Sequence, residues 1–340
     1  MKRVTSIDVA RKAGVSRGVV SAVLNHTAGI RVSEEKRALV LQAIEELGYR
    51  VDVQARGMRL GRSQCFAAFG DMDNPLFLQM LQGFQKMCTT SGYHVLLYGS
   101  NGNESTRYEL LEMFRERRID GIVSKDPTQY ADAAWAQAIH DNQVPYVSVD
   151  GYSENESVCS VLTDYKGSIQ VALNTIWQRT QTTPVYVEVH HGASDTLNWG
   201  DLQRRAGYVE WIEAKRLTPQ IISMPRHNNE SQRDAWVHVL EKVERPASLV
   251  TNWSYGARQV YEACYHLNLR IGTDVHIMAA DNTEQVNAYM IPPLSAVEVP
   301  YREMGNLAAE RLLQYVEGNR KLQDTTTIMV PCQLVLRNSI

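Results

Sequence analysis

The sequence lacks the features that mark several common classes of protein. It has no run of about 18 consecutive apolar residues, so no membrane-spanning helix is expected. Its first residues lack the apolar stretch and the small-residue cleavage site of a secretory signal, and we therefore expect a cytoplasmic protein. The five cysteines are scattered and include no C-x-x-C pair, which argues against a disulfide framework or a zinc site.

Motifs of catalysis are also absent from the sequence. It contains no glycine-rich phosphate loop, no G-x-S-x-G elbow and no H-E-x-x-H zinc motif. His190 and His191 are adjacent, but neighbouring side chains on a strand point to opposite faces, so the pair is not expected to chelate a metal ion. We expect a protein that is not an enzyme and needs no metal or cofactor.

The charged residues are distributed unevenly along the chain. Residues 1–62 hold 12 Lys and Arg against 6 Asp and Glu, a net charge of +6. The remaining residues hold 23 Lys and Arg against 32 Asp and Glu, a net charge of -9, which gives -3 for the whole chain. A small basic segment attached to an acidic body indicates that the segment contacts a polyanion.

The first 48 residues have the pattern of three short helices around one core. Val9, Ala10 and Ala13 have the spacing of one buried helix face, and Gly14 follows where a tight turn needs a residue that tolerates positive φ. Ser16 is placed to cap a second helix. Such a set predicts a helix-turn-helix headpiece. The second and third helices are expected to bury Val19, Val20, Val23 and Leu24, and Leu39, Val40, Ala43, Ile44 and Leu47.

From Cys65 onward, short apolar runs alternate with amphipathic stretches, which is typical of parallel α/β sheets. The span of roughly 275 residues is large enough for two lobes. Because ligands of such sheets bind beyond the carboxyl ends of the strands, the residues just after each apolar run are candidates for a binding site. The candidate strands are Cys65–Phe69, His94–Tyr98, Gly121–Val123, Tyr146–Val149, Val158–Leu162, Val185–Val189, Ser248–Thr251 and His276–Ala279.

Motifs in both parts of the chain carry a family resemblance. The head contains the run T-S-I-D-V-A-R-K-A-G-V-S-R-G-V-V-S-A-V-L-N at residues 5–25. The body contains R-R-A-G-Y at 204–208, L-V-T-N at 249–252 and D-V-H-I-M-A-A-D-N at 274–282, in that order. In these motifs and their spacing, essentially the whole chain resembles the LacI/GalR family of bacterial transcription regulators.

The resemblance implies three parts with different roles. An all-α helix-turn-helix headpiece is expected at 1–48, and a hinge helix or linker at 49–62. The remainder is expected to be an α/β two-lobed periplasmic-binding-protein-like (type I) core with parallel sheets, which binds an effector and forms the dimer. The expected N-lobe comprises about 63–163 and 294–326, and the expected C-lobe about 164–293 and 327–340.

The resemblance also implies how the headpiece and hinge contact DNA. The second helix is expected to lie in the major groove, where Arg17 donates two hydrogen bonds to a guanine. Ala22 replaces an arginine common in the family, so we expect a different operator sequence. In the hinge, Arg56 matches the family pattern, and Met58 stands where a leucine usually wedges between base steps. The expected DNA-contacting residues are Thr5, Ser16, Arg17, Gly18, Ser21, Ala22, Asn25, Arg56 and Met58.

An effector site follows from the same resemblance, carried over position by position. Carboxylates, a guanidinium and an amide around an aromatic surface suit a polyhydroxylated ligand, so a sugar or sugar derivative is the leading expectation. Trp253 stands where the family usually has aspartate, and it either stacks on a sugar or fills space. Asp73, Trp199 and His190 are further candidates for the rim. The expected effector-binding residues are Phe77, Asp150, Arg204, Asn252, Trp253 and Asp281.

The expected partners are double-stranded palindromic operator DNA, a small-molecule effector and a second copy of the chain, because a symmetric operator requires a symmetric dimer. No membrane contact is expected, and repression is the expected effect on transcription. Three alternatives stay open. The core could answer a purine, a nucleoside or a phosphoprotein. The chain could instead be a solute-binding protein, or an enzyme on the same scaffold.

Overall fold

The computed structural model describes most of the chain, and contacts divide it into two compact units, Met1–Ser63 and Gln64–Ile340. Arg56, Met58 and the side chain of Asn25 lie outside the described residues, so the roles expected of them stay predictions. In the part of the chain that is described, no helix is long and apolar enough to cross a membrane. The described residues are 4–25, 32–50, 61–100, 104–128, 130–153, 157–190, 198–226, 230–283 and 285–340.

Three helices form the first unit. They are α1 (Ser6–Ala13), α2 (Arg17–Asn25) and α3 (Glu34–Leu47). Helix α1 begins at a capping box, in which the Thr5 hydroxyl accepts a hydrogen bond from the Asp8 amide and the Asp8 carboxylate accepts one from the Thr5 amide. It ends at Gly14, whose φ of 64° lies in the left-handed region that favours glycine. The helix-turn-helix expected from the sequence is confirmed.

An apolar cluster joins the three helices, and Val9, Val20 and Val40 are fully buried in it. One expectation about burial is wrong. Leu39 is 44% exposed rather than buried, because α3 packs through Val40, and neighbouring positions of a helix point in different directions. Ala22, one of the expected DNA-contacting residues, is only 5% exposed, because a single methyl does not extend beyond longer neighbours.

Strands and helices alternate along the second unit. The strands are β1 (Cys65–Gly70), β2 (His94–Gly99), β3 (Gly121–Lys125), β4 (Tyr146–Val149), β5 (Cys159–Thr163), β6 (Pro184–His190), β7 (Ile221–Pro225), β8 (Ala247–Thr251), β9 (Val275–Ala279), β10 (Ser295–Glu298), β11 (Ile328–Val330) and β12 (Gln333–Val335). The helices are α4 (Pro75–Thr90), α5 (Tyr108–Arg115), α6 (Ala133–Asp141), α7 (Tyr165–Thr180), α8 (Trp199–Ala214), α9 (Glu230–Glu241), α10 (Ser254–His266) and α11 (Tyr301–Glu317).

Two sheets divide this unit into an N-lobe and a C-lobe. In the described residues the N-lobe sheet has the order β11-β5-β4-β3-β1-β2, and every pair of neighbours is parallel. The C-lobe sheet has the order β12-β10-β9-β8-β6-β7 and is parallel except for the pair β10–β12. Apolar helix faces cover both sheets. This arrangement confirms the expected two-lobed α/β core with parallel sheets.

The points at which the chain changes lobe differ from expectation. The N-lobe was expected to resume at residue 294, but β10 pairs with β9 in the C-lobe sheet, so the change comes after β10. The C-lobe was expected to resume at residue 327, but β11 pairs with β5 in the N-lobe sheet. The expected boundaries are wrong because β10 and β11 are short strands of four and three residues that the apolar pattern did not reveal.

Helices α4 and α11 pack closely in the N-lobe through two glycines. A Cβ at Gly83 would lie 1.8 Å from the carbonyl oxygen of Arg302, and a Cβ at Gly305 would lie 2.0 Å from that of Met80. The two helices can approach this closely only because neither position carries a side chain. Helix α4 begins directly after the loop that follows β1, so this packing also fixes one wall of the cleft between the lobes.

Candidate functional site

The exposed face of α2 is the candidate DNA-reading surface of the headpiece. Ser16 precedes the helix, and its hydroxyl accepts a hydrogen bond from the Val19 amide at 3.4 Å, so it acts as a cap. Arg17 and Gly18 are exposed, and Ser21 is half-buried. The guanidinium of Arg17 is therefore available to a base edge. The hydroxyl of Thr5 is already engaged with Asp8 at 2.7 Å.

The core contains a cavity of about 440 Å³ between its two lobes. The N-lobe contributes the loop after β1 and the start of α4. The C-lobe contributes residues at the carboxyl ends of its strands, which is where ligands of parallel sheets bind. The lining residues are Asp71, Asp73, Asn74, Pro75, Leu76, Val189, Asn198, Arg226, Trp253, Tyr255 and Thr283. Of the six expected effector-binding residues, only Trp253 lines this cavity.

Arg204 lies directly behind Trp253, between two aromatic rings. Its guanidinium carbon is 4.8 Å from the centre of the Trp253 ring and 4.6 Å from that of Tyr165, and the side chain is 0% exposed. Burial alone would lower the pKa of Arg204, but neighbouring negative groups, Asp281 foremost, raise it. The arginine is therefore charged, and two aromatic rings lie within cation–π distance of its guanidinium.

A buried carboxylate and amide hold the Arg204 side of the site. Asn252 follows β8 and exchanges two hydrogen bonds of 2.9 Å with the backbone of Val189, at the end of β6. Its amide nitrogen also donates to Asp201 at 2.9 Å, and Asp201 lies 3.8 Å from Arg204. Burial raises the pKa of Asp201 to about 6, although Arg204 and the bond from Asn252 oppose this shift. Asn252 therefore fixes the ends of two strands.

Asp281 follows β9 and organises the loop beside the cavity. Its carboxylate accepts hydrogen bonds from the backbone amide of Ser254, from the amide of Thr283 at 3.2 Å, and from the hydroxyl of Thr283. Its own carbonyl accepts a bond of 3.0 Å from Asn287. These contacts fix the start of α10, where Trp253 is the N-cap residue. Asp281 does not line the cavity, but its hydrogen bonds hold Thr283 and the start of α10, which do contribute to the lining.

Asp150 belongs to a buried cluster at the crossover between the lobes. Its carboxylate pairs with the Lys125 ammonium at 2.9 Å and accepts bonds from the hydroxyls of Tyr301, at 2.7 Å, and Tyr165, at 3.2 Å. Burial and the charge of Asp150 raise the pKa of both tyrosines, so they stay protonated donors. Asp150 does not line the cavity and is only 1% exposed, so it holds the crossover together from within the core.

Phe77 also lies away from the cavity. Its ring is fully buried in the apolar core of the N-lobe, and a Cβ at Gly70 would lie 2.5 Å from it. The expectation that Phe77 forms an apolar wall of the effector site is wrong for this structure, because α4 directs the ring onto β1. Leu76 and Pro75, just before it, line the cavity instead.

A second buried polar cluster lies in the N-lobe at the ends of β3 and β4, and it was not expected from the residue pattern. Arg107 donates to Asp126 at 2.9 Å, and its guanidinium carbon lies 4.4 Å from the ring centre of Tyr130. The other oxygen of Asp126 accepts bonds from Ser124, at 2.5 Å, and Ser148, at 2.7 Å. These contacts join the strand ends next to Lys125 and Asp150.

Comparison with known proteins defines the class of the chain. The model of the bacterial regulatory proteins, lacI family, matches residues 6–52, and that of the periplasmic binding protein-like domain matches residues 176–340. A helix-turn-helix unit joined to a two-lobed core with a cleft is a DNA-binding regulator. The chain belongs to the lacI family of bacterial regulatory proteins and is a DNA-binding transcription regulator.

Relatives of the chain match it over nearly its whole length. The HTH-type transcriptional repressor PurR of Proteus mirabilis is 25% identical over 98% of this chain and 96% of its own. The ribose operon repressor of Halalkalibacterium halodurans is 24% identical over 98% of this chain and 96% of its own. The lac repressor dimer bound to operator and the anti-inducer ONPF has the same fold, with a TM-score of 0.78 and 19% identity over 99% of both chains.

Proposed function

We propose that two copies of the chain bind a palindromic operator and that a small molecule in the cavity between the lobes controls this binding. The observation that carries the proposal is the cavity itself, at the carboxyl ends of the C-lobe strands and beside the start of α4. The chain acts by binding, without catalysis, and works where bacterial DNA lies, in the cytoplasm. The relatives, which are named repressors, support repression as its effect.

The DNA contacts are proposed to come from the exposed side of α2 and from the hinge. Arg17 is exposed and is the one arginine in the described part of α2. Its guanidinium can donate two hydrogen bonds to the same guanine. Ser16, Ser21 and Thr5 are proposed to hold phosphates, together with Asn25 and Arg56. Ala22 has little exposed surface, so its proposed role is limited to contact with a thymine methyl.

The effector is proposed to be a sugar or sugar derivative. The lining carries the carboxylates of Asp71 and Asp73, which accept hydrogen bonds from hydroxyls, and the guanidinium of Arg226, which donates them. Trp253 supplies an aromatic surface on the C-lobe wall of the cavity. Arg204, Asn252 and Asp281 are proposed to support the site, because they hold Trp253 and the ends of the C-lobe strands.

Selection of duplexes from a random library by the purified chain tests the DNA-binding proposal. We expect enrichment of a symmetric sequence and an affinity that falls steeply as salt rises, since phosphate contacts release counterions. Equal binding to all duplexes at every salt concentration would refute it. Adding candidate sugars to the selected duplex complex then tests the effector, because an effector must change the operator affinity.

A further inference from the structure

Trp253 separates the cavity from Arg204. The indole lines the cavity on the C-lobe side, and the guanidinium lies 4.8 Å behind it with no exposed surface. A molecule in the cavity therefore meets the ring of Trp253 and not the buried charge. The guanidinium carbon also lies 4.6 Å from the centre of the Tyr165 ring, so two aromatic rings contact Arg204.

The charges that do face the cavity are mainly negative. Asp71 and Asp73, on the N-lobe wall, are both exposed. Arg226, on the C-lobe wall, has its guanidinium carbon 4.4 Å from the ring centre of Tyr255. Two carboxylates against one guanidinium repel an acidic ligand, whereas each carboxylate accepts hydrogen bonds from neutral hydroxyl groups.

We propose that Trp253 is the specificity-determining residue of the effector site, and that the effector is an uncharged sugar rather than a sugar acid or a sugar phosphate. This inference rests on the proposed function, in which the cavity between the lobes binds the effector. The apolar face of a sugar ring packs on the indole, and its hydroxyls donate to Asp71 and Asp73.

Arg204 has a positioning role in this site. Its Nη2 donates to the carbonyl of Ala280 at 3.3 Å, and its charge holds the Trp253 ring through the cation–π contact. In the described part of the chain, its Nε and Nη1 atoms have no hydrogen-bond partner. Since the Arg204 side chain has no exposed surface, an acidic ligand in the cavity does not meet those donors. The indole therefore presents an uncharged surface to the ligand, with the charge of Arg204 behind it.

Matched sugars test the inference directly. Isothermal calorimetry on the full chain would compare D-glucose, D-galactose and D-ribose with glucose 6-phosphate, galactose 6-phosphate, ribose 5-phosphate, glucuronic acid and galacturonic acid. We expect at least one neutral sugar to bind, and its acidic forms to bind at least tenfold more weakly, which is about 1.4 kcal/mol. An acidic form that binds as tightly as its parent overturns the inference, and so does the absence of binding by all three neutral sugars.

Substitutions at the wall sharpen the test. Trp253→Leu removes the stacking surface and uncovers Arg204, so the neutral sugar should bind at least tenfold more weakly while its acidic forms bind more tightly than to the parent chain. Trp253→Phe keeps an aromatic face and should retain most of the affinity. Trp177→Phe, on α7 and 5.8 Å from the Trp211 ring, is the matched control and should bind as the parent does.

A second pair of substitutions covers the case in which Trp253→Leu does not fold, as judged by circular dichroism. Asp71→Asn combined with Asp73→Asn removes the repulsion at the other wall, so the acidic forms should gain at least threefold in affinity. No gain would contradict the assigned role of these carboxylates.

Operator affinity, measured separately, tests the proposed function. A chain that binds the sugar but prefers no duplex would contradict that function and leave this inference standing.

Discussion

Replacing Asp150 by asparagine should destabilise the core strongly. The carboxylate pairs with buried Lys125 at 2.9 Å and accepts bonds from the hydroxyls of Tyr301, at 2.7 Å, and Tyr165, at 3.2 Å. Asparagine keeps the size of the side chain and tolerates the φ of 70° at this position. The substitution therefore removes the negative charge and replaces one of the two acceptor oxygens with an NH2 group, and Lys125 loses its ion-pair partner.

The magnitude follows from the burial of this pair. Removing one member of a buried ion pair typically costs about 3–5 kcal/mol, because the other charge stays buried without compensation. Tyr165 and Tyr301 donate to different oxygens of Asp150, so only one of them keeps the amide oxygen as its acceptor. The two hydroxyls lie 3.1 Å apart, so the other can donate to its neighbour instead and adds little to this cost. We expect Asp150→Asn to lower the free energy of unfolding by about 3–5 kcal/mol.

Urea unfolding of the purified chain, followed by tryptophan fluorescence, measures this loss. The double variant Asp150→Asn, Lys125→Met is the matched control. It removes both charges and should recover most of the stability, since apolar replacement of a buried pair is often close to neutral. A loss below about 1 kcal/mol in the single variant is typical of exposed pairs and would refute the reasoning. A double variant no more stable than the single one would refute it as well.

Three further outcomes are expected. Arg17→Ala should relax base preference at one position of each half-site, by about 1–3 kcal/mol, and an unchanged selected sequence would contradict its role. Gly83→Ala should destabilise the N-lobe by at least about 1–3 kcal/mol, since the new methyl would lie 1.8 Å from the Arg302 carbonyl; a melting temperature equal to that of the parent would contradict this. Asp201 has a pKa raised to about 6 from 3.8, so its folded form binds the proton more tightly than its unfolded form. Its contribution to stability is full below pH 3.8 and is lost as the pH rises through 6. In Asp201→Asn this pH dependence of the melting temperature should disappear.

Elements with a strong apolar pattern could be predicted from the sequence, and marginal ones could not. The buried strands β1, β3, β4, β6 and β8 were each expected to within two residues at either end, because their side chains are apolar on both faces. The short strands β7, β10, β11 and β12 were not expected. Strand β7 is half-exposed at the edge of its sheet, and β11 and β12 have only three residues each.

The candidate site could be located from the sequence, but its lining could not. The rule that ligands bind after the strand ends points to Asp71, which follows a strand of the N-lobe sheet, and to Asn252 and Asp281, which follow strands of the C-lobe sheet. It does not reveal that neighbours occupy Asn252 and Asp281, since those contacts join residues 27 to 63 positions apart in the chain. Arg226 was missed because β7, which precedes it, has too weak a pattern to mark the strand end.

The C-lobe wall of the cavity is connected through buried contacts to the cluster around Asp150 at the crossover between the lobes. Trp253 stacks on Arg204, and Arg204 stacks on Tyr165. The hydroxyl of Tyr165 donates to Asp150, and the same carboxylate accepts from Tyr301. Tyr165 and Tyr301 are the first residues of the helices that follow two of the crossings between lobes. Neither ring can leave Arg204 without exposing a buried charge, so a molecule that displaces Trp253 would also disturb the residues packed at two of the crossings between the lobes.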